Sequence, residues 1–177
     1  GLSAATYMRG IEYINIPTTT LSQIDSSIGG KTAIDLAGVK NCVGCFWQPS
    51  AVIIDTDILS SLCKRQFNNG LAEAVKTGLI LDKELFEIFE KDDYENYLEE
   101  IIGRSLLAKK KIVEEDERES GSRKLLNFGH TYGHGLESYF GMDGYYHGEC
   151  VGLGMLKILN NNEIKNRLVK VLERLQL

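Results

Sequence analysis

The apolar residues of this chain change their spacing near Ser61, and that change limits the folds open to it. Before that point they come in short runs. Ile11 to Pro17 reads as a short strand, and Ala51-Val52-Ile53-Ile54 as a second that runs into Asp55-Thr56-Asp57. The polar, glycine-rich stretch between them, Thr18 to Gln48, reads as a loop too long to be an idle connection. Beyond Ser61 the spacing is helical. Leu79, Ile80, Leu85, Phe86 and Phe89 recur at helical intervals, as do Leu98, Ile101, Ile102, Leu106 and Ile112. Ile164, Leu168, Val171, Leu172 and Leu175 form a last amphipathic helix. Gly1 to Gly10 is a helix-like segment closed by a glycine. The expected fold is an α/β portion over residues 1–62 followed by an all-α domain over residues 63–177.

Composition removes several classes of function. The chain has 177 residues, 43% hydrophobic and 25% charged, as a soluble globular protein does. Its net charge of −5, with no basic stripe, argues against a nucleic-acid partner. No apolar run approaches ~20 residues and nothing resembles a signal peptide, so a cytoplasmic protein without a membrane span is expected. Cys42-x-x-Cys45 has no second closely spaced pair to complete a structural zinc site. All four cysteines are read as reduced thiols.

The chemistry gathers around the histidines. The chain has only 3, all between His130 and His147. His130 and His134 are four apart and share a helix face. Gly141 and Gly144 then break the pattern and let the chain turn His147 back toward them. Imidazole is the commonest neutral metal ligand and the usual proton shuttle near neutral pH. An open catalytic zinc site often adds a carboxylate to its histidines. Glu73, Glu137, Glu149 and the cluster Glu114 to Glu119 all qualify by residue type. Glu73 stands out because Lys76 follows it by three among apolar neighbours, a spacing that otherwise makes an ordinary helix ion pair. Gly29-Gly30-Lys31-Thr32 lacks the first glycine of a Walker loop, yet its backbone N–H groups and ammonium can approach a phosphate. Lys40-Asn41, Lys109 to Lys111 and Arg123 are further cationic candidates.

Read together and in order, these pieces resemble the 3-dehydroquinate synthase family, within the sugar-phosphate cyclases. The resemblance rests on Ala5-Thr6-Tyr7-Met8-Arg9-Gly10, Gln23 through Thr32, Lys40-Asn41, Phe46-Trp47-Gln48-Pro49 and Ile54-Asp55-Thr56. It continues through Gly70-Leu71-Ala72-Glu73-Ala74-Val75-Lys76, Leu126 through His134, and His147-Gly148-Glu149. It implies a dehydroquinate synthase-like fold and a helical domain that binds metal and substrate. It also implies a carbon–oxygen lyase that converts 3-deoxy-D-arabino-heptulosonate 7-phosphate to 3-dehydroquinate and phosphate, using NAD and a divalent metal, zinc or cobalt, as cofactors. By the resemblance, Glu73, His130 and His147 are the metal ligands, and His134 and Glu119, with Lys76, are catalytic. Arg9, Asp25, Lys31, Asn41, Lys76, Lys109, Arg123 and Asn127 contact substrate, Arg9 from across a homodimer interface. Thr18, Thr19, Lys40 and Asn69 touch NAD. The family's glycine-rich nucleotide loop is expected upstream of Gly1 and further helices after Leu177, so a fragment inactive by itself is expected.

Three other readings stay open at this stage. A different cyclase such as 2-deoxy-scyllo-inosose synthase shares metal and NAD, but Arg123 and Asn127 suit a substrate carboxylate. A polyol dehydrogenase of the glycerol dehydrogenase type has no need of Lys31 and Lys109. A purely structural metal domain would unfold when the metal is removed.

Overall fold

The computed structural model describes residues 1–141 and 144–177. The chain opens with helix α1 (Leu2–Thr6) and a tight turn ending at Gly10. Strand β1 (Ile14–Asn15) pairs in parallel with β4 (Ala51–Val52), Ile14 opposite Ala51. Both are shorter than the apolar runs that predict them, and Ile14, Ile16 and Ile53 stay exposed.

Between these strands the structure departs from the sequence reading. Thr18 to Gln48 is not a loop: it holds a π-helical turn (Ser22–Ser26) and a hairpin of β2 (Lys31–Leu36) and β3 (Val39–Phe46). The hairpin closes on Ala37 and Gly38, whose φ values are 50° and 79°. A two-residue turn with both φ positive matches strand twist and is usually signalled by Asn-Gly or Asp-Gly. Ala-Gly is a weak form of that signal.

The helical part is built around α2 (Lys64–Ile80). Every residue from Asn68 to Gly78 is buried, so this helix is enclosed on all sides. It is packed by α3 (Lys83–Phe89), α4 (Leu98–Glu115), α6 (His147–Ile158) and α7 (Asn162–Leu175), while α5 (His130–Phe140) lies on α6. Helices α2 and α3 are separated at Asp82, whose side chain accepts the Leu85 N–H (3.1 Å) and caps α3. Asn161 caps α7 in the same way, and Leu168, Val171, Leu172 and Leu175 then seal one face of the core. Ile24 and Leu59, from the first part of the chain, are buried in this same core. The π turn is therefore anchored: Gln23 donates to the carbonyls of Pro17 (3.2 Å) and Asp55 (2.7 Å).

Protection should follow burial. Backbone amides of Leu71 to Lys76 are expected to exchange at the rate set by global unfolding, and those of β1, β4 and the hairpin tip much faster. Amide hydrogen exchange read by mass spectrometry checks this, and equal protection across the chain would contradict it.

Candidate metal centre

Three helix positions converge on one point. Glu73, in the middle of buried α2, is 1% exposed. Its Oε2 is ion-paired with Lys76 one turn on, also buried. Its Oε1 is buried and accepts no hydrogen bond from the described residues. That oxygen lies 3.3 Å from His147 Nε2 and 3.5 Å from His130 Nε2. Two ligands of one tetrahedral zinc ion, each about 2.0–2.2 Å from it, sit roughly 3.3 Å apart. A buried acceptor without a donor is costly unless something satisfies it, and a divalent cation between these three atoms would do so. The donor set fits.

The contacts of the other ring nitrogens suit the same end. His147 Nδ1 lies 2.7 Å from Glu137 Oε1, and His130 Nδ1 lies 3.3 Å from the Phe128 carbonyl. Each ring can thus give its Nδ1 proton to an acceptor and turn Nε2 inward, the usual outer-shell support of a histidine ligand. His134, Glu137 and His147 form a second possible group. It fits less well, because the 2.7 Å Glu137–His147 contact is a hydrogen bond, too short for two ligands of one ion.

Charge reinforces the ligand forms of Glu73 and His130, and acts the other way on His147. Burial alone would raise the Glu73 carboxyl, but Lys76 and the two histidines outweigh it and hold the group well below its ordinary range. Burial, then the Lys76 ammonium, pushes His130 down toward the neutral imidazole a metal requires. His147 is displaced upward, since Glu73 and Glu137 overcome the opposing effect of burial.

The other predicted site residues fall into groups. His134 is exposed on α5, its ring centroid 5.3 Å from that of His130 and 6.1 Å from that of His147. Glu119 does not pair with His134. It accepts from Asn127 (2.8 Å) and is ion-paired with Lys31, and these partners hold its carboxyl low against the effect of burial. A cleft of about 600 Å³ is lined by Glu119, Asn127, Phe128 and Thr131. Lys109 is buried and ion-paired with Asp25 (2.9 Å). Arg123 is 2% exposed, and its guanidinium donates to the Gly29 carbonyl (2.9 Å) and to that of Glu117. Arg9 and Asn41 are exposed, and Asn41 has a positive φ of 53° on the hairpin.

Of the residues matched to NAD contacts, Thr18 and Thr19 are exposed, Thr19 bonded to Ser22 (2.8 Å). Lys40 reaches Glu137 Oε2 (2.9 Å), and Asn69 is buried with its amide oxygen on the Gly148 N–H (2.6 Å). Sequence reasoning did not single out Glu137 as the partner of a ligand. Its spacing of seven from His130 and three from His134 puts it on their face of α5, and that spacing was the available signal.

Two family models cover nearly all of this chain. The model for the 3-dehydroquinate synthase N-terminal part matches residues 1–69, and the model for the C-terminal part matches residues 70–175. The chain belongs to the 3-dehydroquinate synthase family. It is 46% identical over 174 residues to the 3-dehydroquinate synthase of Clostridium botulinum, covering 96% of this chain and 50% of that protein. It is 50% identical over 162 residues to that of Thermodesulfovibrio yellowstonii, covering 88% of this chain and 45% of that one. The chain thus spans about half the length of the curated relatives it matches.

Among solved structures, one neighbour is 2-epi-5-epi-valiolone synthase from Streptomyces hygroscopicus with NAD+ and Zn2+ bound. It superposes with a TM-score of 0.91 at 29% identity, over 100% of this chain and 53% of that one. Another is 2-deoxy-scyllo-inosose synthase complexed with carbaglucose-6-phosphate, NAD+ and Co2+. Its TM-score is 0.88 at 32% identity, over 98% of this chain and 51% of the other. The fold is therefore that of this family of cyclases, as the ordered motifs imply.

Proposed function

We propose that the chain supplies the metal- and substrate-binding part of a 3-dehydroquinate synthase. That enzyme would convert 3-deoxy-D-arabino-heptulosonate 7-phosphate to 3-dehydroquinate and phosphate, as a cytoplasmic, homodimeric carbon–oxygen lyase. The observation that carries the reading is the buried Glu73 oxygen, without a hydrogen-bond partner and within 3.5 Å of two imidazole nitrogens. Identities of 46% and 50% to 3-dehydroquinate synthases, against 29% and 32% to the other two cyclases, favour this substrate over theirs.

When bound, a divalent ion supplies Lewis acidity toward vicinal hydroxyls and NAD supplies reversible oxidation of a ring alcohol. Glu73, His130 and His147 would hold the ion, with Lys76 keeping the Glu73 carboxylate ionised. His134, exposed beside the ligand imidazoles, is suited to carry a proton between solvent and substrate at its ring nitrogens. Lys31, Lys109 and Arg123 offer cations to a phosphate dianion. Each now has a protein partner (Glu119, Asp25 and backbone carbonyls), which a substrate would have to displace or extend. Asn127 and Glu119 border the cleft, and Arg9 and Asn41 complete the proposed contacts.

The fit to NAD is partial. Thr18, Thr19, Lys40 and Asn69 are the proposed contacts, but Gly29 and Gly30 open onto strand β2 rather than onto a helix N-terminus that could hold a pyrophosphate. These residues alone do not cradle a pyrophosphate, and this chain by itself is expected to show no synthase turnover.

Titration calorimetry of the cobalt-loaded chain tests the substrate reading. The heptulosonate phosphate should bind in a salt-sensitive way, because attraction over ~10 Å is screened at 0.1 M salt. Lys31→Ala and Lys109→Ala should each weaken it. Absence of binding, or a preference for glucose 6-phosphate, would overturn the assignment.

A further inference from the structure

Three successive residues of α6 meet three successive turns of α2. His147 faces Glu73, with Nε2 3.3 Å from Oε1. The Gly148 N–H donates to Asn69 Oδ1 at 2.6 Å. Glu149 takes a two-pronged bond from Arg65, Nε to Oε1 at 2.6 Å and Nη2 to Oε2 at 2.8 Å. Arg65, Asn69 and Glu73 are spaced by four, so they form one stripe along α2.

The two backbones touch here. A Cβ on Gly148 would lie 2.0 Å from the Asn69 carbonyl oxygen, so only glycine permits the approach. The turn entering α6 is held from the same stripe. Arg65 donates to the Gly144 carbonyl (3.1 Å), and its guanidinium carbon stacks 4.1 Å from the Tyr146 ring centroid. Glu149 Oε2 also accepts the Tyr146 N–H (2.8 Å), which closes the first turn of the helix.

We propose that Arg65 and Asn69 are positioning residues for the metal centre, holding the first turn of α6 so that His147 Nε2 stays beside Glu73 Oε1. This rests on the metal reading of Glu73, His130 and His147. Glu137 fixes the rotation of the His147 ring through Nδ1, whereas Asn69 and Arg65 fix the backbone that carries it. Asn69 does this one residue from the ligand. A slip of the α6 turn would leave the ring well oriented but too far from Glu73.

Cobalt(II) titration, followed by visible absorption and by affinity, tests the proposal on the parent chain and on Asn69→Ala, Asn69→Asp and Arg65→Met. The parent should take up one cobalt ion. Asn69→Ala and Arg65→Met should each bind it about 10-fold more weakly, as loss of outer-shell support does, with an altered absorption band. Asn69→Asp keeps an acceptor for the Gly148 N–H and should recover most of the affinity. A merely structural role would lower the melting temperature yet leave cobalt affinity and spectrum unchanged in folded protein, and that result would overturn the proposal. Arg65→Met, at a half-exposed side chain, supplies the readout if Asn69→Ala does not fold.

If the parent takes up no cobalt, the metal reading fails, and hydrogen exchange in the same proteins decides the positioning by itself. Faster exchange confined to residues 147–150 in Asn69→Ala and Arg65→Met would support it. Exchange equal to the parent would overturn it.

Discussion

His130→Ala and His147→Ala are each expected to abolish tight binding of a divalent ion, and His134→Ala to leave it intact. The two imidazoles that should matter approach the unpartnered Glu73 oxygen at 3.5 and 3.3 Å. His134 lies in the same cluster of rings but is exposed. Loss of a ligand should exceed the roughly 10–100-fold that outer-shell changes cost, and Glu137→Gln should fall within that smaller range. Metal content after dialysis against a weak chelator measures all four variants. Equal loss in His130→Ala, His147→Ala and His134→Ala would undo the assignment of roles.

Lys76→Met should have the largest effect on stability. The Glu73–Lys76 pair is almost wholly buried, with side-chain exposures of 1% and 3%. Removing one member of such a pair strands the other charge and typically costs about 3–5 kcal/mol, a large share of the ~5–15 kcal/mol that holds a domain together. The loss should be greatest in chelator. Zinc should restore part of it, because the ion supplies a positive charge at the same carboxylate and binds only the folded form. Glu73→Gln combined with Lys76→Met should be less destabilised than Lys76→Met alone. Urea unfolding with and without zinc checks this. A Lys76→Met variant as stable as the parent in chelator would show that the carboxylate is not dependent on its ammonium.

Helices α3, α4 and α7 were legible because their apolar residues recur with one period. Ile164, Leu168, Val171, Leu172 and Leu175 are enough to place α7. The hairpin was not legible, because Ala37-Gly38 is a poor advertisement for a turn and β2 and β3 lie almost entirely exposed, so burial imposes little pattern on them. The division near residue 62 marks where helices begin, but Ile24 and Leu59 are packed in the helical core, a long-range contact that spacing does not report.

At the site, three histidines close in sequence announced themselves. Lys76 and the apolar neighbours of Glu73 set it apart among the many carboxylates, but the resemblance made the choice, since nothing in that spacing says that its helix is enclosed on all sides. The ties of Asn69 to Gly148 and of Arg65 to Glu149 join residues far apart in the chain and were invisible until α2 and α6 were packed together.

The most direct test of a metal centre at Glu73, His130 and His147 is anomalous diffraction from crystals of the chain grown with zinc. The expected result is one ion about 2.0–2.2 Å from Glu73 Oε1, His130 Nε2 and His147 Nε2, with a further position open to water. An ion bound instead by His134, Glu137 and His147, or by Cys42 and Cys45, or no ordered ion at all, would contradict the account.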